Sequence, residues 1–417
     1  MPSGRMSNGI VTFEAAIPEL AQASCAMAQA QSASSKNPVT CYAANAPRPK
    51  PAAPSLLNIW APVLLLSAFV ASFLVGWLII RYEHLHAHFS HDHVDSGPQK
   101  DHTEPTPRIG GLTILAGLLA AGAAMLLTDT ISTERAFGLL LLAGMPAFLG
   151  GLVEDITKKV GVLERLLLTI LAGAFAAWLL GAVLNRLDIP GVDQALTWLP
   201  FAVVLTAFAV GGIANAINII DGTNGLALGF AAIVLIAMAY VANLVGDELV
   251  FTAALATIGA LLGLLVWNWP GGKIFMGDGG AYLLGFLLAE LAVLIVVRNP
   301  GVSPWFPLLL LIYPIFETFY SVYRRKIRHQ LSPGQPDNLH LHQLIRDNVV
   351  PPQGESGKPL TRLERNSCAA KYFWAYAAVL AALGGLFWQS TPMLIACAVG
   401  SCVFYVVTYW RISGPTQ

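Results

Sequence analysis

Long, nearly uncharged apolar runs constrain this chain more than any other feature of its sequence. They recur from Leu57 to Trp410 in stretches of roughly 18–25 residues, long enough as helices to cross the ~30 Å hydrocarbon core of a bilayer. Only 12% of the 417 residues are charged and 55% are hydrophobic, whereas a soluble domain carries about 25% charged residues. The runs are continuously apolar instead of alternating, which argues against a β-barrel. The reading is an all-α polytopic membrane protein. Its eleven expected spans lie at about 57–80, 110–127, 136–153, 163–184, 198–219, 225–245, 249–269, 280–297, 303–323, 372–388 and 391–410.

The charges that remain are distributed unevenly. Lys158, Lys159, Lys273 and the run Arg324, Arg325, Lys326 fall on one set of loops, and the opposite set holds only Arg135, Arg186 and Arg298 beyond the first span. The positive-inside rule then places the N-terminus outside, the C-terminus inside and a long loop, 324–371, in the cytoplasm. Residues 1–54 are rich in Ala, Ser and Pro and lack the apolar core of a signal peptide; they read as a disordered tail ahead of a transmembrane domain at 55–411. Formal net charge is zero, which gives no reason to expect a nucleic-acid partner. The five cysteines, Cys25, Cys41, Cys368, Cys397 and Cys402, have no metal-ligand spacing and read as unpaired thiols.

Ionisable groups at the edge of a bilayer are costly, so their clustering is informative. Nearly every dense polar motif falls on the expected cytoplasmic side: the stretch from Asp95 to Arg108, Glu154-Asp155, Asn218 to Asn224, Gly277 to Gly280, and Pro336 to His342. Five loops converging on one face is the layout of an active site. Asn215, Asn218, Asp221 and Asn224 recur every third residue, which predicts a shared face at a helix end. Gly222 and Gly225 let the backbone approach a ligand there. These carboxamides and carboxylates suit a nucleotide and its cation. Asp278, in the turn Gly277-Asp278-Gly279-Gly280, offers a hard oxygen ligand for Mg²⁺ next to a helix start that can receive an anion. Glu154 and Asp155 can hold a cation or position a nucleophile. His340 and His342, in a loop with Arg324, Arg325 and Lys326, can hold phosphate oxygens, and no set with zinc spacing accompanies them. A separate tract, His84, His86, His88, His91 and His93, reads as a membrane-surface histidine run with adventitious metal affinity.

These motifs resemble those of the polyprenyl-phosphate N-acetylhexosamine-1-phosphate transferase family. The resemblance is carried by Asn218–Ala227 (NIIDGTNGLA), Phe275–Phe286 (FMGDGGAYLLGF), Pro105–Gly111 (PTPRIGG), the acid pair and the His-x-His, in the family's order over about residues 57–410. It implies that Asp278 is a magnesium ligand, with Mn²⁺ as an alternative ion, and that Phe275 stacks on uracil. Asn218, Asp221 and Asn224 would line the nucleotide and phosphate pocket, Glu154 and Asp155 would act in catalysis, and His340 and His342 would bind phosphate. Three departures mark the chain: Glu154 where the pair is usually Asp-Asp, Asn224 where Asp is frequent, and Leu341 between the two histidines. They point toward the WecA/WbpL-like branch, which starts O-antigen and exopolysaccharide chains, and away from the muramyl-pentapeptide branch.

The implied reaction moves a sugar 1-phosphate from a UDP-sugar to undecaprenyl phosphate in the bacterial inner membrane, and UMP leaves. Because two anions meet, positioning and charge neutralisation supply most of the catalysis. Arg108 and Lys158 join the His340/His342 loop as candidates for holding the lipid phosphate. Such a monoester has a second pKa near 6, so a general base is optional and Asp155 can equally orient or bind metal. The partners are the two substrates and the bilayer, and a homodimer is compatible with the sequence. A transporter of a nucleotide-sugar or lipid-linked intermediate is the rival reading, but transporters bind near the midplane and carry internal repeats. Neither feature is seen here.

Overall fold

The computed structural model describes residues 60–92, 105–128, 133–328, 339–354 and 357–413. The expected tail, His93, and Pro336 to Asn338 of the histidine loop lie outside them. The first elements are α1 (Trp60–Arg81), α2 (Glu83–Ser90), β1 (His91–Asp92), β2 (Thr106–Pro107), α3 (Gly111–Thr128), α4 (Glu134–Thr157) and α5 (Val162–Leu180). The short α6 (Val192–Leu196) leads to α7 (Leu199–Ile220), α8 (Leu226–Val245), α9 (Glu248–Asn268) and α10 (Gly277–Arg298). The chain ends with α11 (Trp305–Leu310), α12 (Ile312–Tyr323), α13 (Leu341–Asn348), α14 (Arg362–Phe387) and α15 (Thr391–Ser413).

Among the described residues, nine helices are long and apolar enough to cross a membrane, and Gly111–Leu127 is a shorter apolar helix. The expected span at 303–323 is not one continuous helix. It breaks at Leu311 into α11 and α12, then continues as a π-helical turn at Arg324–Arg328. The fold is therefore that of a multi-pass all-α membrane protein.

Helix α10 is the axis of the bundle. Every residue from Gly277 to Val296 is buried, with α4, α7, α3 and α8 packed around it. Between Asp278 and Arg298 its only charged residue is Glu290, and a helix apolar on nearly every side has no lipid-facing side to choose, so it takes the centre. Glycines bring its first turn into backbone contact with its neighbours. A Cβ at Gly151 would sit 2.5 Å from the Asp278 carbonyl oxygen, and one at Gly111 would overlap the Gly280 nitrogen. Gly277 has φ +73° and faces the Arg108 carbonyl, so both its conformation and its surroundings exclude a side chain. The segment before α3 runs alongside the segment before α10. Phe275 N–H donates to the Pro107 carbonyl (2.8 Å), and Gly110 and Gly111 N–H donate to the carbonyls of Phe275 (3.0 Å) and Met276 (2.8 Å).

The far end of the bundle is closed by a separate polar clasp. Asp247 accepts from Arg298 Nε (2.9 Å) and Asn299 Nδ2 (2.8 Å), and Asp188 accepts from Arg186 (3.1 Å) and Thr391 (2.7 Å). These groups satisfy one another, consistent with a structural role.

Candidate active site

The site is organised by the start of α10. The first N–H groups of a helix have no partner within it and carry a partial positive charge. Here the partner comes from another helix: Asp155, near the end of α4, accepts from Asp278 N–H and Gly279 N–H, one with each oxygen, both at 2.9 Å. Asp155 is 1% exposed. This carboxylate therefore fixes the turn that carries Asp278, with Arg108 Nε 3.7 Å from its Oδ1.

Asp278 is 7% exposed and surrounded by donors. Its Oδ1 accepts from Asn218 Nδ2 at 3.1 Å and Arg108 Nη2 at 3.4 Å, and its Oδ2 pairs with Arg165. Asp221 follows the last residue of α7 and is half-buried. Partial removal from water, with Asp278 and Asp155 nearby, pushes its pKa well above the usual carboxylate range, and Arg108 opposes that shift. Three carboxyl groups thus share a small region with two guanidiniums.

The structure brings Arg108, Asp155, Asn218, Asp221 and Asp278 together, as the motifs predict. Phe275 adjoins them, half-buried, on the strand-like segment leading into Gly277. The His340/His342 loop is joined to the Asp221 turn through Gly222, where a Cβ would lie 2.8 Å from His342 Nε2. Other expectations are placed differently. Glu154 Oε2 accepts from Val160 N–H (2.8 Å), securing the turn after α4, and its carboxyl lies near enough to Arg165 and Tyr282 to act on both electrostatically. Lys158, in a left-handed conformation, donates through Nζ to the Asp155 carbonyl at 2.8 Å.

The three-residue Asn series does not share one face, because the helix ends at Ile220 and the periodicity stops with it. Asn215 bonds Thr169 Oγ1 (3.2 Å) and the Gly211 carbonyl (2.8 Å). Asn224 turns toward α14, donating its backbone N–H to Asn366 Oδ1 (2.9 Å), while its Nδ2 is buried without a hydrogen-bond partner. No group of three His, Cys, Asp or Glu residues that could ligate a metal unaided occurs among the described residues, the described histidines His84, His86 and His88 included. Within that tract His86 is bonded to Ser90 Oγ (2.6 Å) and the Ile79 carbonyl (2.9 Å).

Sequence reasoning missed Arg165, Asn268, Asn366 and Glu317. Arg165 lies in the first turn of α5 and reads locally as an interfacial cation. Only the packing of α5 beside α4 reveals its partner. Asn268 Oδ1 accepts from Gly225 N–H (2.6 Å) and its Nδ2 donates to the Ile274 carbonyl (2.9 Å), tying the two loops together.

A helical membrane bundle with clustered acids and guanidiniums at one end is the framework of a membrane-embedded phosphotransferase, and comparison with known proteins agrees. Residues 137–296 match the model of glycosyl transferase family 4. The chain is 31% identical over 253 residues to a probable undecaprenyl-phosphate N-acetylglucosaminyl 1-phosphate transferase of Bacillus subtilis, covering 59% of this chain and 67% of that protein. It is 28% identical over 383 residues to a decaprenyl-phosphate N-acetylglucosaminephosphotransferase of Mycolicibacterium smegmatis, covering 84% and 87%. A phospho-N-acetylmuramoyl-pentapeptide-transferase of Geobacillus kaustophilus is 35% identical over 213 residues, 48% of this chain and 64% of its own length. The chain belongs to this family of polyprenyl-phosphate sugar-1-phosphate transferases.

Proposed function

We propose that the chain transfers an N-acetylhexosamine 1-phosphate from its UDP-activated form to undecaprenyl phosphate at the cytoplasmic face of the bacterial inner membrane, as the first step of O-antigen, exopolysaccharide or another envelope glycan. The observation that carries this reading is the convergence of Asp155, Asp221 and Asp278 with Arg108 and Arg165 on the start of α10. A lipid phosphate oxygen attacks the β-phosphorus of the UDP-sugar. The bond from that phosphorus to the bridging oxygen breaks, UMP leaves, and the product is a lipid-linked sugar pyrophosphate.

Arg108, with its side chain 27% exposed, can neutralise the approaching phosphates, and Phe275 offers a half-buried ring to the base. Asn224 Nδ2 supplies an unused donor at the edge of the same loop. Asp155 holds the helix start in place and, in this reading, moves no proton. Asp221 and Asp278 would hold Mg²⁺, since such ions need only one or two carboxylates plus substrate phosphates, and a bound cation would favour the charged form of Asp221, whose pKa is pushed up first by burial and then by the neighbouring Asp278 and Asp155. When bound it would neutralise charge on the pyrophosphate and the departing UMP.

The test is UMP release by purified protein given undecaprenyl phosphate with UDP-GlcNAc, UDP-GalNAc or a UDP-linked 6-deoxy amino sugar, with and without Mg²⁺ or Mn²⁺. Metal-dependent release with one donor preferred is the expected result. Binding of a nucleotide sugar with no UMP released from any donor would sink the proposal and favour a transporter.

A further inference from the structure

We propose that Glu317 is a positioning residue for the active site, acting through His340. The proposal rests on reading His340 and His342 as part of the substrate-phosphate site. Glu317 lies on α12, beyond the break at Leu311, and is fully buried at 0% exposure. Its Oε1 accepts from His340 Nδ1 at 2.8 Å, and its Oε2 accepts from Tyr405 Oη–H at 2.8 Å and Leu341 N–H at 3.3 Å. Three elements far apart in sequence, α12, the histidine loop and α15, thus meet on one carboxylate.

The geometry fixes more than the loop's location. Arg325 Nη2 lies 3.1 Å from His340 Nε2. A guanidinium only donates and an ionised carboxylate only accepts. The imidazole between them must therefore carry its proton on Nδ1, facing Glu317, and present Nε2 as an acceptor to Arg325. The chain of bonds runs from Glu317 through His340 to Arg325, setting both the histidine tautomer and the direction of a guanidinium. A second route leads to the site: the His340 and His342 rings stack at 5.5 Å, 4° from parallel, and His342 lies against Gly222, next to Asp221. Burying a carboxylate in a membrane bundle is costly. Apolar contacts would tether a loop at less cost, and they would not select a tautomer.

The first measurement is a double-mutant cycle on the full chain in detergent, with UDP-GlcNAc, undecaprenyl phosphate and Mg²⁺. Glu317→Gln should lower kcat/KM by about tenfold in the wild-type background and by less than about twofold in His340→Ala, because one residue acts through the other. Tyr405→Phe removes a donor to the same carboxylate while sparing the His340 bond, and should stay within about twofold. Independent, additive losses would overturn the proposal, as would a fully active Glu317→Gln beside an impaired His340→Ala. The second measurement needs no Glu317 variant to fold: ¹⁵N spectra of histidine-labelled wild-type protein, with the His340 signals assigned by their loss in His340→Ala. A protonated Nδ1 with a bare Nε2 is expected, and a proton on Nε2 alone would overturn the assignment. That spectrum reads the tautomer whether or not UMP is released, so a silent assay would count against the proposed reaction and not against Glu317.

Discussion

Replacing Asp155 with Asn tests whether this residue caps a helix or abstracts a proton. Each oxygen of the Asp155 carboxylate accepts one N–H of the α10 start at 2.9 Å. An Asn keeps one acceptor and must aim its NH₂ at the other N–H, and flipping the amide only exchanges which bond is lost. A hydrogen bond to a charged group is worth roughly 1.5–3 kcal/mol, and a carboxylate at a helix start adds about 0.3–1 kcal/mol. The sum is about 3 kcal/mol. If the loss falls on the placement of Asp278 in the transition state, turnover drops by roughly a hundredfold. The assay is UMP release from about pH 6 to pH 9, since the lipid phosphate itself titrates near pH 6. A cap produces a deficit that does not shrink as pH rises, whereas a lost general base leaves one that does. A loss under about threefold would refute the capping argument, because a buried bond to a carboxylate together with its charge at the helix start cannot be that weak. A deficit that shrinks steadily as pH rises would restore Asp155 as a base.

Four further outcomes follow from the same geometry. Asp278→Asn should fold and lose at least about a hundredfold in turnover, and near-normal Mg²⁺-dependent activity would remove it from the metal site. Arg165→Gln should cost roughly tenfold or more by unbalancing the acid cluster, measured as kcat with Mg²⁺ saturating; wild-type kcat would show that its pairing with Asp278 is incidental. Glu154→Gln should stay within about threefold, because that side chain secures the Val160 turn and not the substrate, and a loss matching Asp155→Asn would return Glu154 to catalysis. In a cysteine-free background, Lys358→Cys should be labelled only from the cytoplasm and Gly301→Cys only from outside; the reverse pattern would put the site in a compartment without UDP-sugars.

Much of this architecture is legible in the chain because hydropathy and motif content are local properties. The apolar runs mark the helices, and Asp278, Asp221 and Asn218 announce themselves through glycine-rich turns. Legibility ends where partners are chosen by packing. Arg165 sits 113 residues from Asp278 in sequence, and no spacing rule connects a cation at the foot of one helix to the mouth of another. Glu317 is harder still, since an acid inside an apolar run signals only that some partner exists. The period of three from Asn215 to Asn224 misled for a simple reason: it assumes a helix that stops at Ile220. The break at Leu311 likewise leaves no local mark beyond the prolines, Pro307 and Pro314, that flank it.

The complete enclosure of α10 has a mechanical consequence. Helices α1, α5, α14 and α15 are only 22–28% buried over their most apolar windows, against 94% for α10. The outer helices form a compliant annulus that tilts and slides when bilayer thickness changes. The helix that carries Asp278 touches no lipid from Gly277 to Val296 and is spared that strain. The acid cluster at the start of α10 is thus suspended inside its own protein solvent, and lipid-facing α5 reaches it through Arg165.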